Sequence, residues 1–206
     1  MRFFKWVVRL FSRFIKQGIC FYHRCRLSNK DITVISSNCL GGVVLHHLRL
    51  RFNSPFVNLY IEAEDYVKLL ESFDYYIDKQ IEDITSANGT YPVGLLGGEI
   101  KLHFLHYKTF EDASACWYKR CKRIDKERFY VIMVERDGCT LEHIDRFDRL
   151  PFKHKKIICS HPHEEYKSCH VMTGFEAVNE VDIFIRKYYL IPLWMKINWS
   201  AFFNQK

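Results

Sequence analysis

Between residues 31 and 160 the chain alternates short apolar runs with longer stretches of helical period, and this alternation limits the folds open to it. The segments 31–37 (DITVISS), 55–61 (PFVNLYI), 99–107 (EIKLHFLHY), 128–136 (RFYVIMVER) and 155–160 (KKIICS) read as strands. Between them, 64–81 repeats apolar residues on one face of a helix. The spacing predicts a second helix over 110–124 behind a Thr109 cap, with Glu111 and Asp112 in its first turn. A third, over 140–150, opens at Thr140 and stops at Pro151. Strand and helix in turn predict a three-layer α/β fold, Rossmann-like, with a largely parallel sheet flanked by helices. The stretch 85–98 is dense in turn residues and reads as the chief loop.

Charge divides the chain into three parts. Residues 1–30 carry eight Lys or Arg and no acid, and residues 183–206 carry four and no acid. The body between them, 31–182, holds nineteen basic against 24 acidic residues, so the formal +7 belongs to the two ends. A nucleic-acid fold places its basic stripe on the folded body, so no nucleic-acid partner is expected. Wound as a helix, 2–16 puts Phe3, Phe4, Val7, Val8, Leu10, Phe11, Phe14 and Ile15 on one arc. Arg2, Lys5, Arg9, Arg13 and Lys16 lie on the other. An aromatic face opposite a cationic face predicts a helix lying on an anionic membrane surface. The aromatic tail 183–206 fits either an interfacial belt or a segment closing the core. No run reaches membrane-span length and the charge-broken N-terminus makes no cleavable signal, so a cytoplasmic protein peripheral to the inner membrane face is expected. Eight cysteines with no CxxC pair then read as reduced thiols.

The chemistry is expected around ITVISSNCLGG, residues 32–42. In parallel α/β folds ligands sit beyond the carboxyl ends of strands, where helix N-termini present N–H groups. Asn38 offers a donor and an acceptor, and Gly41 and Gly42 permit close backbone approach. Cys39 at a helix start would have its thiolate favoured, and an adjacent imidazole would make it a nucleophile. Among His46, His47, His103 and His106, the last is best placed, at the end of its strand, with His103 on the opposite face. Cys39 is otherwise a small buried hydrophobe, as such cysteines commonly are. Asp137 ends a strand before a turn, in place for a base, a ligand or a helix cap. Trp117, Arg120 and the flanking Arg123 form a helical ridge able to clamp an anion, or simply a solvated face. His161, His163, Glu164, Cys169 and His170 crowd one short stretch, but their spacing matches no zinc motif, and no metal is expected.

ISSNCLGG, LRFNSPFVNLYI, YPVGLLGGEIKLHFLHYKTF, CWYKRCKRI, RDG and FDRLPFKHKKIIC occur in an order that resembles a bacterial family of capsule and exopolysaccharide biosynthesis proteins, over about residues 31–170. Members commonly carry two asparagines before the cysteine, where this chain has Ser37 and Asn38. The Asn-Cys turn is also similar to that of capsule acetyltransferases holding coenzyme A. The resemblance implies a polysaccharide or sugar-lipid substrate and an acyl (acetyl) transferase using Cys39, His106 and Asn38, with coenzyme A as donor. A nucleotide-sugar-dependent glycosyltransferase with a metal on Asp137, or a non-catalytic scaffold of the assembly complex, are the alternatives.

Overall fold

The computed structural model describes residues 2–173, 175, 180–182 and 191–205. Its centre is a four-stranded, wholly parallel sheet in the order β1 (Thr33–Ser36), β5 (Phe129–Val134), β6 (His154–Cys159), β7 (Cys169–Val171). A second, antiparallel sheet is formed by β2 (Ile81–Asp83), β3 (Val93–Leu96) and β4 (Ile100–His103). The chain is thus a three-layer α/β protein.

Side chains of the central strands alternate between two cores, because successive residues of a strand face opposite ways. Ile35, Val131, Met133 and Ile157 enter one core. There they meet α3 (Ala63–Glu71), α4 (Phe73–Ile77), α5 (Phe110–Cys121), α6 (Leu141–Arg149) and the small sheet. Val34, Ile132, Val134 and Ile158 enter the other. It is closed by α1 (Arg2–Arg26), α2 (Leu40–Leu48) and a tail ending in α7 (Trp199–Phe203). Burial on both faces explains why these strands read as continuous apolar runs.

The expected caps form. Thr109 Oγ1 accepts from the Asp112 N–H at 3.2 Å, and the Thr140 N–H donates to His143 Nδ1 at 3.0 Å. Arg146 of α6 reaches both Glu64 and Glu71, tying α6 to α3.

Three expected elements differ. Residues 55–61 are not a strand: Pro55 opens the segment and Asn58 takes a left-handed φ of 65°, leaving one bridge between Tyr60 and His103. Its apolar residues are buried because the segment lies under the first core. The helix expected over 64–81 breaks at Ser72 into α3 and α4 and ends in β2. The loop 85–98 contains β3, and 99–107 joins the antiparallel sheet rather than the parallel one.

The two termini separate in role. Residues 191–205 close the second core with Leu193, Trp194, Met195, Ile197, Trp199, Phe202 and Phe203, so this part of the tail is not an interfacial belt. Residues 183–190 of that segment lie outside the described residues. By contrast α1 meets the body through Cys20 and His23, with Leu27 buried just past its end, while Trp6, Phe11 and Phe14 are each about 60% exposed (58%, 60% and 63%). No helix among the described residues is long and apolar enough to cross a membrane.

Candidate functional site

The turn after β1 is held by its own small polar side chains. Ser36 Oγ accepts from the Gly41 N–H at 3.2 Å, and Asn38 Oδ1 accepts from the Leu40 N–H at 3.0 Å. Ser37 Oγ accepts from the Val134 N–H at 3.3 Å, and the Ser37 carbonyl accepts from Ile61 at 2.8 Å. A hydroxyl at position 37 therefore suffices to lock the turn to the end of β5. The two glycines are there for packing. A Cβ on Gly41 would lie 2.8 Å from Ser36 Cβ, and one on Gly42 would lie 3.1 Å from Val57 Cγ1. The Gly41 amide is already taken by Ser36, so it is not a free donor for a ligand. Replacing Gly41 by alanine is expected to lower stability by about 1–3 kcal/mol, the usual cost of overpacking a tight interior. A chemical-denaturation midpoint matching the wild type would contradict this.

Beyond the turn lies a cavity of about 470 Å³ lined by Asn38, Cys39, Val43, Tyr60, Leu105, His106, Arg136 and Asp137. The size is that of a small-molecule site. It sits past the carboxyl ends of β1 and β5, the position that parallel sheets reserve for ligands. Four residues chosen from sequence (Asn38, Cys39, His106 and Asp137) meet there, from three separate loops. His106 is solvent-exposed and its backbone N–H reaches the Asn58 carbonyl at 3.4 Å. Asp137 has a left-handed φ of 56° ahead of Gly138, and Arg136 Nε lies 3.2–3.3 Å from its carboxylate. Strained backbone of this kind gathers at working sites.

Two atoms define what the cavity can do. Asn38 Nδ2 is buried and has no hydrogen-bond partner, since Oδ1 alone is used by the turn. A buried donor without an acceptor costs about 1–3 kcal/mol, which a bound oxygen would relieve. Cys39 is half-buried, with its Sγ 3.6 Å from the Leu59 carbonyl. Burial pushes its thiol above the ordinary range, and the Asp137 carboxylate adds to that push, against a backbone hydrogen bond and Arg136. The net direction is opposite to the helix-start effect expected from sequence: desolvation outweighs the dipole.

The other sequence candidates lie elsewhere. His103 is not a lining residue; it stacks on Tyr60 with centroids 4.3 Å apart, and burial holds its imidazole neutral to lower pH than usual. Trp117 is sealed in the first core, 1% exposed. Arg120 Nη1 donates to the Tyr107 hydroxyl at 2.8 Å, and Arg123 Nη1 donates to the Phe52 carbonyl at 3.2 Å. These arginines pin α5 to neighbouring loops and do not line the cavity. Sequence reasoning passed over Tyr60 and Arg136; the latter is signalled only by adjoining Asp137. A larger cavity of about 610 Å³ opens at the amino ends of β5 and β6, beside Phe73, Phe129 and Phe152. It is mainly apolar-walled and lies at the end of the sheet away from the Cys39 turn.

The fold and this turn define a class of α/β protein with a small-molecule cavity at the carboxyl edge of a short parallel sheet. Within it, the chain belongs to the family described as domain of unknown function (DUF1919), whose match spans residues 10–200. It is also 39% identical over 160 residues to an uncharacterized protein of Haemophilus influenzae, covering 77% of each chain.

Proposed function

We propose that the protein is a polysaccharide-biosynthesis enzyme that transfers an acyl group, with acetyl the simplest case, to a sugar hydroxyl at a membrane surface. The observation that carries the reading is the meeting of a partnerless amide donor, Asn38 Nδ2, with Cys39 and His106 in one cavity. In the reaction, His106 takes the proton of the attacking sugar hydroxyl as its oxygen bonds to the acyl carbonyl carbon. Asn38 Nδ2 donates to the oxygen that becomes negative. The bond from that carbon to the donor's sulfur then breaks, and the departing thiolate takes up the proton. Because burial raises the Cys39 thiol, transfer directly from a coenzyme A thioester is favoured over an intermediate on Cys39. Soaking crystals with acetyl-coenzyme A and with nucleotide sugars tests the donor. Density for the coenzyme's thioester end beside Asn38 supports acyl transfer, and a nucleotide sugar there instead replaces it with glycosyl transfer.

The membrane half of the reading rests on α1. Its exposed apolar residues face away from the body, and a basic groove of about 510 Å³ between α1 and α2 is lined by Arg13, Lys16, Arg24, His46, His47 and Arg49 with no acid. Anionic lipid suits both features, the rings entering the headgroup layer and the cations facing phosphates. Phe11→Asp with Phe14→Asp is expected to weaken binding to phosphatidylglycerol-containing vesicles at least about tenfold, since each buried ring contributes roughly 1.5–3 kcal/mol. Sedimentation with vesicles measures this. Equal binding of the double variant and the wild type would remove the membrane from the proposal.

A further inference from the structure

We propose that Glu135, Cys159 and His163 hold a zinc ion that fastens the 160–170 loop to the carboxyl end of the parallel sheet. Each offers one ligand atom, and the three atoms lie within 4.8 Å of one another. They come from three places: Cys159 closes β6, Glu135 follows β5, and His163 stands in the loop between β6 and β7. That distribution is why no zinc spacing is visible in the sequence. Adjacent parallel strands bring together ligands that are 24 residues apart in the chain.

Each donor is in a state that a metal would explain. His163 Nε2 is buried with no hydrogen-bond partner. Glu135 is only 8% exposed, and among the described residues no Lys or Arg pairs with it. Its Oε2 instead accepts from the backbone and hydroxyl of Ser160. A buried carboxylate without a cation is costly, and an orienting hydroxyl of this sort is what outer-shell partners of metal ligands supply. Cys159 is fully buried, with its Sγ 3.9 Å from the Ile157 carbonyl. The three donors are one sulfur, one imidazole and one carboxylate. This set suits zinc over magnesium or calcium. Zinc–ligand lengths of about 2.0–2.3 Å place tetrahedral ligands roughly 3.3–3.8 Å apart, so the three donor atoms, already within 4.8 Å of one another, would draw closer around the ion.

The site stands apart from acyl transfer and would survive its failure. It would steady the strand end from which Arg136 and Asp137 reach the Cys39 cavity.

The test is the zinc content of the purified full-length chain by mass spectrometry, with cobalt substitution to read the ligands. About one zinc per chain is expected, and the cobalt form should show thiolate-to-metal absorption. His163→Ala and Cys159→Ser should lose the metal, Ser160→Ala should weaken it about 10- to 100-fold, and Cys25→Ser on exposed α1 should leave it unchanged. His163 lies in the loop, so its variant keeps the test sound even if the buried Cys159→Ser fails to fold. Wild-type zinc retention by His163→Ala, a cobalt form without thiolate absorption, a chain that takes up no zinc, or a Cys159–Cys169 disulfide in the purified protein would each overturn the proposal.

Discussion

Replacing Trp199 by alanine should lower stability by about 3–5 kcal/mol, whereas Trp6→Ala should change it by less than about 0.5 kcal/mol. Both tryptophans lie in basic, aromatic, acid-free terminal segments, so composition alone cannot separate them. Trp199 is 1% exposed, stacks on Phe203 at 5.8 Å and donates from Nε1 to the Trp194 carbonyl at 2.9 Å. Its loss would open a large void and strand a buried carbonyl together. The consequences reach α1. Ser200 Oγ lies 3.0 Å from His23 Nδ1, and Asn204 Nδ2 donates to the Arg26 carbonyl at 2.7 Å. The tail is therefore the clasp that fixes the base of α1, and Trp199→Ala should also speed proteolysis within residues 18–27. For a chain this size the stability loss corresponds to a fall in Tm of roughly 6–20 °C, readable by calorimetry. Similar melting of the two variants would show that the second core does not depend on the tail.

The contrast shows what the sequence could and could not reveal. Strands buried on both faces announce themselves, so β1, β5 and β6 were legible, and with them the parallel α/β class. Segment 55–61 carries the same apolar signal yet is not a strand, because a buried loop and a buried strand need the same side chains; only Pro55 and Asn58 hint otherwise. The Cys39 turn was legible because small polar residues and glycines must follow a strand that ends at a tight bend. The glycines themselves answer to Ser36 and Val57 rather than to a ligand, and that depends on neighbours no local pattern displays. Trp117 and the two arginines misled for a related reason. A ridge of long side chains looks alike whether it clamps an anion or, as here, fills a core and braces loops. The Glu135, Cys159 and His163 cluster was invisible because strand pairing, not spacing, assembles it.

The decisive expectation for the cavity is that His106→Ala lowers acyl transfer about 10²- to 10⁴-fold, the range of a positioned general base. Asn38→Ala should lower it about 10²- to 10³-fold, like loss of one oxyanion donor. Cys39→Ala should cost far less if transfer is direct. The three variants thus distinguish two chemistries in one pocket. A nucleophilic Cys39 would need its thiolate, and burial together with Asp137 works against that form. Alkylation of Cys39 should accordingly keep accelerating as pH rises past the ordinary thiol range near 9. Alkylation that levels off near neutral pH would show an activated thiolate and restore a covalent route through Cys39. Asn38→Ala is the most exposed to refutation, because its Oδ1 also holds the turn through Leu40. Asn38→Asp separates the two roles: it keeps an oxygen for the Leu40 N–H and removes the Nδ2 donor. If Asn38→Asp transfers acyl groups as fast as the wild type while His106→Ala does not, the orphan amide is no oxyanion donor, and the imidazole works in a cavity organised some other way.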